Sequence, residues 1–125
     1  MCTVLVIEDE PDIADNLCDL MEALGYQALQ AHDGAMGIEA ARSHRPDLIL
    51  CDMRMPKMTG HDVLRALRSD DDWARDVPVA LLTASTEPRL KEKSEALGAS
   101  AFIRKPFDVD DLIATVNALL GGASS

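Results

Sequence analysis

The chain has 125 residues, with 12 Lys and Arg against 22 Asp and Glu and a formal charge of -10, a size and balance that suit one acidic domain. Such a chain would have to concentrate a minority of positive residues to make the basic face that displaces counterions from a nucleic-acid backbone, which argues against free-standing DNA or RNA binding. A hydrophobic content of 47% supports a folded core, and with only Tyr26, Trp73, Phe102 and Phe107 as aromatic rings that core must be aliphatic.

Met1, Cys2 and Thr3 run straight into Val4, Leu5, Val6 and Ile7, without a basic leader segment or an apolar run of membrane-spanning length. The expectation is a cytoplasmic protein with no membrane partner. Cys2, Cys18 and Cys51 are widely spaced and form no C-x-x-C pair, so they read as reduced thiols, and His32, His44 and His61 show no metal-ligand spacing.

In chain order, short apolar runs alternate with helical patterns, the mark of βα units that build a parallel sheet. A strand over 4–7 precedes a helix carrying Ile13, Leu17, Leu20, Met21 and Leu24, with Pro11 at its start and Gly25 past its end. A weaker strand is expected over 26–31. Asp33 can then cap a helix through Ala35, Ile38 and Ala41, which must stop before Arg45-Pro46. Leu48, Ile49, Leu50 and Cys51 are continuously apolar, as in a central strand covered on both faces, and Asp52 closes the run. A loop over 53–59 leads to a helix with Val63, Leu64 and Leu67. The polar stretch Ser69, Asp70, Asp71, Asp72 and Trp73 then reads as a surface loop. The fourth strand, 79–82, ends in Thr83, and Ser85 and Thr86 are candidate caps for a largely charged helix over 87–97, anchored only by Leu90 and Leu97. Ala101, Phe102 and Ile103 form the fifth strand, which runs out at Lys105-Pro106. The last helix is capped by Asp108, carries Leu112, Ile113, Val116, Leu119 and Leu120 on one stripe, and ends at Gly121-Gly122. Five βα units with right-handed crossovers make an open, doubly wound α/β sheet, expected over 1–121 with a short flexible tail at 122–125.

Ligands of such sheets sit beyond the carboxyl ends of the strands, so the residues there are the candidates for chemistry. They are Glu8, Asp9 and Glu10 after the first strand, Asp52 after the third, Thr83 after the fourth and Lys105 after the fifth. Alone, the acidic triplet reads equally well as capping of the next helix. Together with a lone acid, a hydroxyl and a lysine at the other strand ends, it reads as a site. Clustered carboxylates are relieved by a divalent cation or by raised pKa values, and Mg²⁺ suits an all-oxygen donor set that also meets a phosphate. Lys105 and Thr83 are then free to meet phosphoryl oxygens.

These residues resemble the receiver domain of two-component response regulators, specifically the single-domain, chemotaxis-receiver-like type. The matching segments are Val4 to Glu10, Asp47 to Pro56, Leu81 to Ala84 and Ala101 to Phe107. The resemblance implies a flavodoxin-like (βα)5 sheet in the order 2-1-3-4-5. It also implies that Asp52 accepts a phosphoryl group, that Glu8, Asp9, Asp52 and the Arg54 backbone carbonyl hold Mg²⁺, and that Thr83 and Lys105 bind phosphoryl oxygens. The donor it implies is a phosphohistidine on a sensor kinase or phosphotransfer protein. The product is an acyl phosphate, formed by a phosphoacceptor domain rather than an enzyme acting on a separate substrate. Thr83 and Phe102 take the family's switch positions, although Phe102 lacks the hydroxyl of the tyrosine often found there. Lys105-Pro106 matches the family's cis peptide. The face of the fourth helix, fifth strand and fifth helix is the expected contact for a downstream effector, an output domain or a second, phosphorylated copy.

Arg54 is open: its side chain hangs over the site, pairs with Glu8 or Glu87, or is solvated. Rival functions fare worse. A dinucleotide-binding module needs glycines where Glu8, Asp9, Glu10 and Pro11 stand. An aspartate-nucleophile phosphohydrolase needs an acid where Arg54 stands. The surviving alternative is a pseudo-receiver that binds proteins without being phosphorylated.

Overall fold

Apolar runs too short for helices become strands when both of their faces can be covered, and the amphipathic stretches between them supply the cover. The computed structural model describes residues 2–69 and 76–121. The elements are β1 (Thr3–Ile7), α1 (Pro11–Ala23), β2 (Gln27–Ala31), α2 (Gly34–His44), β3 (Leu48–Asp52), α3 (Gly60–Arg68), β4 (Val79–Thr83), α4 (Leu90–Ala96), β5 (Ala101–Arg104) and α5 (Val109–Leu119). All pairings are parallel, in the order β2-β1-β3-β4-β5, so the sheet is the flavodoxin-like one expected.

Side chains alternate across the sheet and thereby build two cores. Leu5, Ile7, Ile49, Cys51 and Leu81 face a layer made by Ala41 of α2, Val63, Leu64 and Leu67 of α3, and Leu90 of α4. Val4, Val6, Leu48, Leu50 and Leu82 face Ala14, Leu17 and Met21 of α1 and Leu112 and Val116 of α5. Both cores are aliphatic. At Gly37, a Cβ would lie 2.5 Å from Ile7 Cδ1, so only glycine lets α2 rest this closely on β1.

Local signals set the helix ends. Asp33 Oδ1 accepts from Met36 N at 2.7 Å, and α2 stops at Arg45, whose φ of 46 is left-handed just ahead of Pro46. Asp108 caps α5 by accepting from the Asp110 and Asp111 amides. Several boundaries differ from expectation: β1 begins at Thr3 rather than at 4, and β3, β4 and β5 take in Asp52, Thr83 and Arg104. Strand β2 begins at Gln27 rather than at 26, and α4 spans Leu90–Ala96 rather than 87–97. Pro88 bars Glu87 from helical backbone, and Ser85 does not cap the helix: its Oγ accepts from Glu87 N at 3.1 Å inside the loop. The helix has Arg89 at its N-cap and no side-chain capping bond. Asp70, Asp71, Asp72, Trp73 and the tail at 122–125 lie outside the described residues. Among the described residues, no helix is long and apolar enough to cross a membrane.

Candidate functional site

Parallel strands end at one edge, so the ladder itself delivers the residue that closes each strand to a common place. Ile7 pairs with Cys51, Asp52 with Leu82, and Thr83 with Arg104. Bonding continues one step further, with Met53 N donating to Leu82 O at 2.8 Å and Lys105 N to Thr83 O at 2.7 Å. Glu8, Asp52, Thr83 and Lys105 therefore share the carboxyl edge, at the point between β1 and β3 where strand order reverses.

Among the described residues only four polar side chains are buried: Glu8, Asp52 and Thr83 at this edge, and Ser94 elsewhere. Burying two carboxylates together is unfavourable unless something offsets their charge. Lys105 offsets part of it, with Nζ 2.8 Å from Asp52 Oδ1 and 3.6 Å from Glu8 Oε2. Half-buried Asp9 adds a third acid, and single oxygens of Glu8, Asp9 and Asp52 lie within 4.8 Å of one another. Both Glu8 oxygens are buried without a hydrogen-bond partner. Burial first, then the neighbouring Asp52 charge, pushes the Glu8 pKa up to about 7 against the pull of Lys105. Burial alone lowers the pKa of Lys105, but its hydrogen bond to Asp52 and the charges of Asp52 and Glu8 outweigh this and hold it above the ordinary value.

The capping alternative for the acidic run fails on hydrogen bonds. Glu10 is the N-cap of α1 yet makes no side-chain cap bond. A hard divalent cation fits the donor set instead, since it would satisfy the orphaned Glu8 oxygens and cancel the repulsion among three carboxylates.

Thr83 is 2% exposed, and its Oγ1 accepts from Ser85 N at 3.0 Å, which ties the loop before α4 to the site. Arg54 is exposed and pairs with neither candidate acid; Glu87 is held by Lys93 at 2.9 Å. Phe102 is half-buried on β5, opposite Leu81, and packs in the same layer as Leu90 and Leu97. The Lys105-Pro106 peptide is cis.

Gly60 escapes the strand-end rule. Its N donates to Met53 O at 2.9 Å, and a Cβ there would lie 3.0 Å from Asp52 O, so the absence of a side chain brings the start of α3 against the acid. Lys57, at φ 70, centres a γ-turn in which Met58 N donates to Pro56 O. The legible trace of this loop's end is the Thr59-x-x-Asp62 spacing, which forms a reciprocal capping box on α3.

Residues 4–117 match the family model described as the response regulator receiver domain. The polar-differentiation response regulator DivK of Brucella anthropi is 36% identical over 121 residues, which are 97% of this chain and 98% of that protein. The DNA-binding dual master transcriptional regulator RpaA of Synechocystis sp. is 40% identical over 120 residues, 96% of this chain, but the chain spans only 49% of its length. Among solved structures, the chemotaxis protein CheY4 of Vibrio cholerae superposes with a TM-score of 0.88 at 30% identity, covering 95% of this chain and 98% of that one. A receiver domain of a signal transduction histidine kinase from Syntrophus aciditrophicus gives 0.89 at 36% identity, covering 98% and 92%.

Proposed function

The chain belongs to the response regulator receiver domain family, phosphoacceptor switches of two-component signalling, and on that premise we propose that Asp52 takes a phosphoryl group from a phosphohistidine. The observation that carries this reading is buried Asp52 with half-buried Lys105 2.8 Å away, beside Glu8 oxygens that no hydrogen bond satisfies.

A carboxylate oxygen of Asp52 attacks phosphorus in line; the new P–O bond forms as the P–N bond to the donor imidazole breaks, and the imidazole leaves with the electron pair. Lys105 swings from the carboxylate to a phosphoryl oxygen, so its charge follows the group being transferred. The Thr83 hydroxyl donates to another phosphoryl oxygen. Glu8, Asp9, Asp52 and the Arg54 carbonyl would hold Mg²⁺, which when bound neutralises the acids and draws the negative phosphoryl group in. The product is an acyl phosphate at residue 52.

Switching follows from the bonds that Thr83 must give up. When its hydroxyl turns to the phosphoryl group, Ser85 N loses its acceptor and the loop to α4 is released. Phe102 occupies the layer beside α4, so the face of α4, β5 and α5 is the surface whose shape reports the reaction to an effector, an output domain or a second copy. The unit is taken as residues 1–121, acting in the cytoplasm with a sensor kinase or phosphotransfer protein as donor.

Incubation with Mg²⁺ and a small phosphodonor, followed by intact mass measurement, tests this. Wild type should gain one phosphoryl adduct only when Mg²⁺ is present, and Asp52→Asn none. A folded wild-type protein that stays unmodified with several donors would instead be a pseudo-receiver.

A further inference from the structure

Helix α4 is seven residues long and buries two side chains, Leu90 and Ser94, the second of them polar. Ser94 is 0% exposed, and its Oγ lies 2.8 Å from both Leu90 O and His61 Nε2. The hydroxyl has one proton. With that proton donated to Leu90 O, the His61 Nε2–H is the donor to Ser94 Oγ. His61 stands in the first turn of α3, one residue after Gly60, whose N is bonded to Met53 O directly beyond Asp52. A buried hydroxyl on α4 is thus held by a side chain whose helix begins against the acceptor. Just past the C-terminal end of α4, Arg68 of α3 donates from Nε and Nη2 to Gly98 O at 3.1 and 2.8 Å.

We propose that the His61–Ser94 contact is a latch that holds α4 on α3 in the unmodified protein, and that releasing it is part of the free-energy cost of switching. The release step rests on the phosphoacceptor reading. Phosphorylation frees the loop before α4 through Thr83 and Ser85, while the latch opposes movement of the helix itself. The balance between these two sets how far α4 follows the site, and by linkage a weaker latch favours the switched state. The charged groups around the imidazole are Arg65 and Asp62 on its own helix and Lys93 and Glu87 from the α4 side.

Amide hydrogen exchange on the unmodified full chain tests the latch directly. His61→Leu should speed exchange of the α4 amides about fivefold, the worth of one hydrogen bond, and Ser94→Ala at least as much because it also loses the bond to Leu90 O, with the β3 amides unchanged in both. The double variant should add little to Ser94→Ala, which already removes the His61 bond together with the hydroxyl's own bond to Leu90 O. Unaltered α4 exchange in both single variants overturns the proposal. The release step is read by following the His61 ring by NMR: its pKa should lie below the ordinary 6.5 before phosphorylation and return toward it afterwards. A phosphorylated protein with an unmoved His61 titration would also overturn it. If mass measurement shows no phosphoryl adduct on wild type, the phosphoacceptor reading and the release step fail with it, and the exchange result still decides whether the latch holds α4.

Discussion

Glu8 is held in the folded chain against its own charge. Its ordinary pKa of 4.5 rises to about 7 on folding, so between those values the folded state binds more protons than the unfolded one. The Glu8 contribution to the stability of the metal-free protein is therefore fully present below 4.5 and is lost as pH rises through about 7. Glu8→Gln should remove the fall and raise metal-free stability at pH 8 by up to about 3 kcal/mol, at about 1.4 kcal/mol per pKa unit. Melting wild type and variant between pH 4.5 and 8 in chelator is the check, and parallel curves would contradict it. Mg²⁺ should flatten the wild-type curve, because binding to the folded state offsets the same repulsion. Other side chains at the site were readable in advance because strand ends share one edge. Arg54 was not: a long, exposed side chain has several solvated positions of similar energy, and its spacing from Asp52 selects none of them.

At the scale of elements, the loop between β3 and α3 is shaped by backbone contacts more than by charge. Gly60→Ala would place a Cβ 3.0 Å from Asp52 O and 3.1 Å from Met53 Cα, both backbone atoms with little room to yield. Overpacking of that kind costs on the order of 1–3 kcal/mol, only partly offset by the better helix propensity of alanine. The variant should melt lower and take phosphate from a small donor more slowly, as judged by thermal unfolding and by the rate of adduct formation. Unchanged values for both would show that α3 can back away without moving Asp52. Contacts of this sort leave little trace in sequence, since a glycine before an apolar stretch signals a turn but not what lies above it. The length of α4 departs from its sequence pattern for a related reason. Its charged pattern extends to Glu87, but Pro88 and the bonds among Thr83, Ser85 and Glu87 keep that segment a loop.

For the whole molecule, the ten-residue surplus of acids divides into two kinds. Most carboxylates are solvated, whereas Glu8 and Asp52 are buried at one sheet edge and Asp9 half-buried beside them. The edge was legible because continuous apolar runs such as Leu48 to Cys51 are too short for helices and suit strands covered on both faces, and the order because the joint set of strand-end residues resembles one family. The His61–Ser94 contact was invisible, as residues 33 apart meet only once α3 and α4 are packed. What this architecture is for depends on a single covalent event. Treating the phosphorylated protein with borohydride reduces an acyl phosphate to the alcohol, and peptide mass mapping then locates it. The reduced side chain should appear at position 52 and nowhere else; an adduct that resists borohydride, or that maps to another residue, would contradict the assignment of Asp52 as the acceptor.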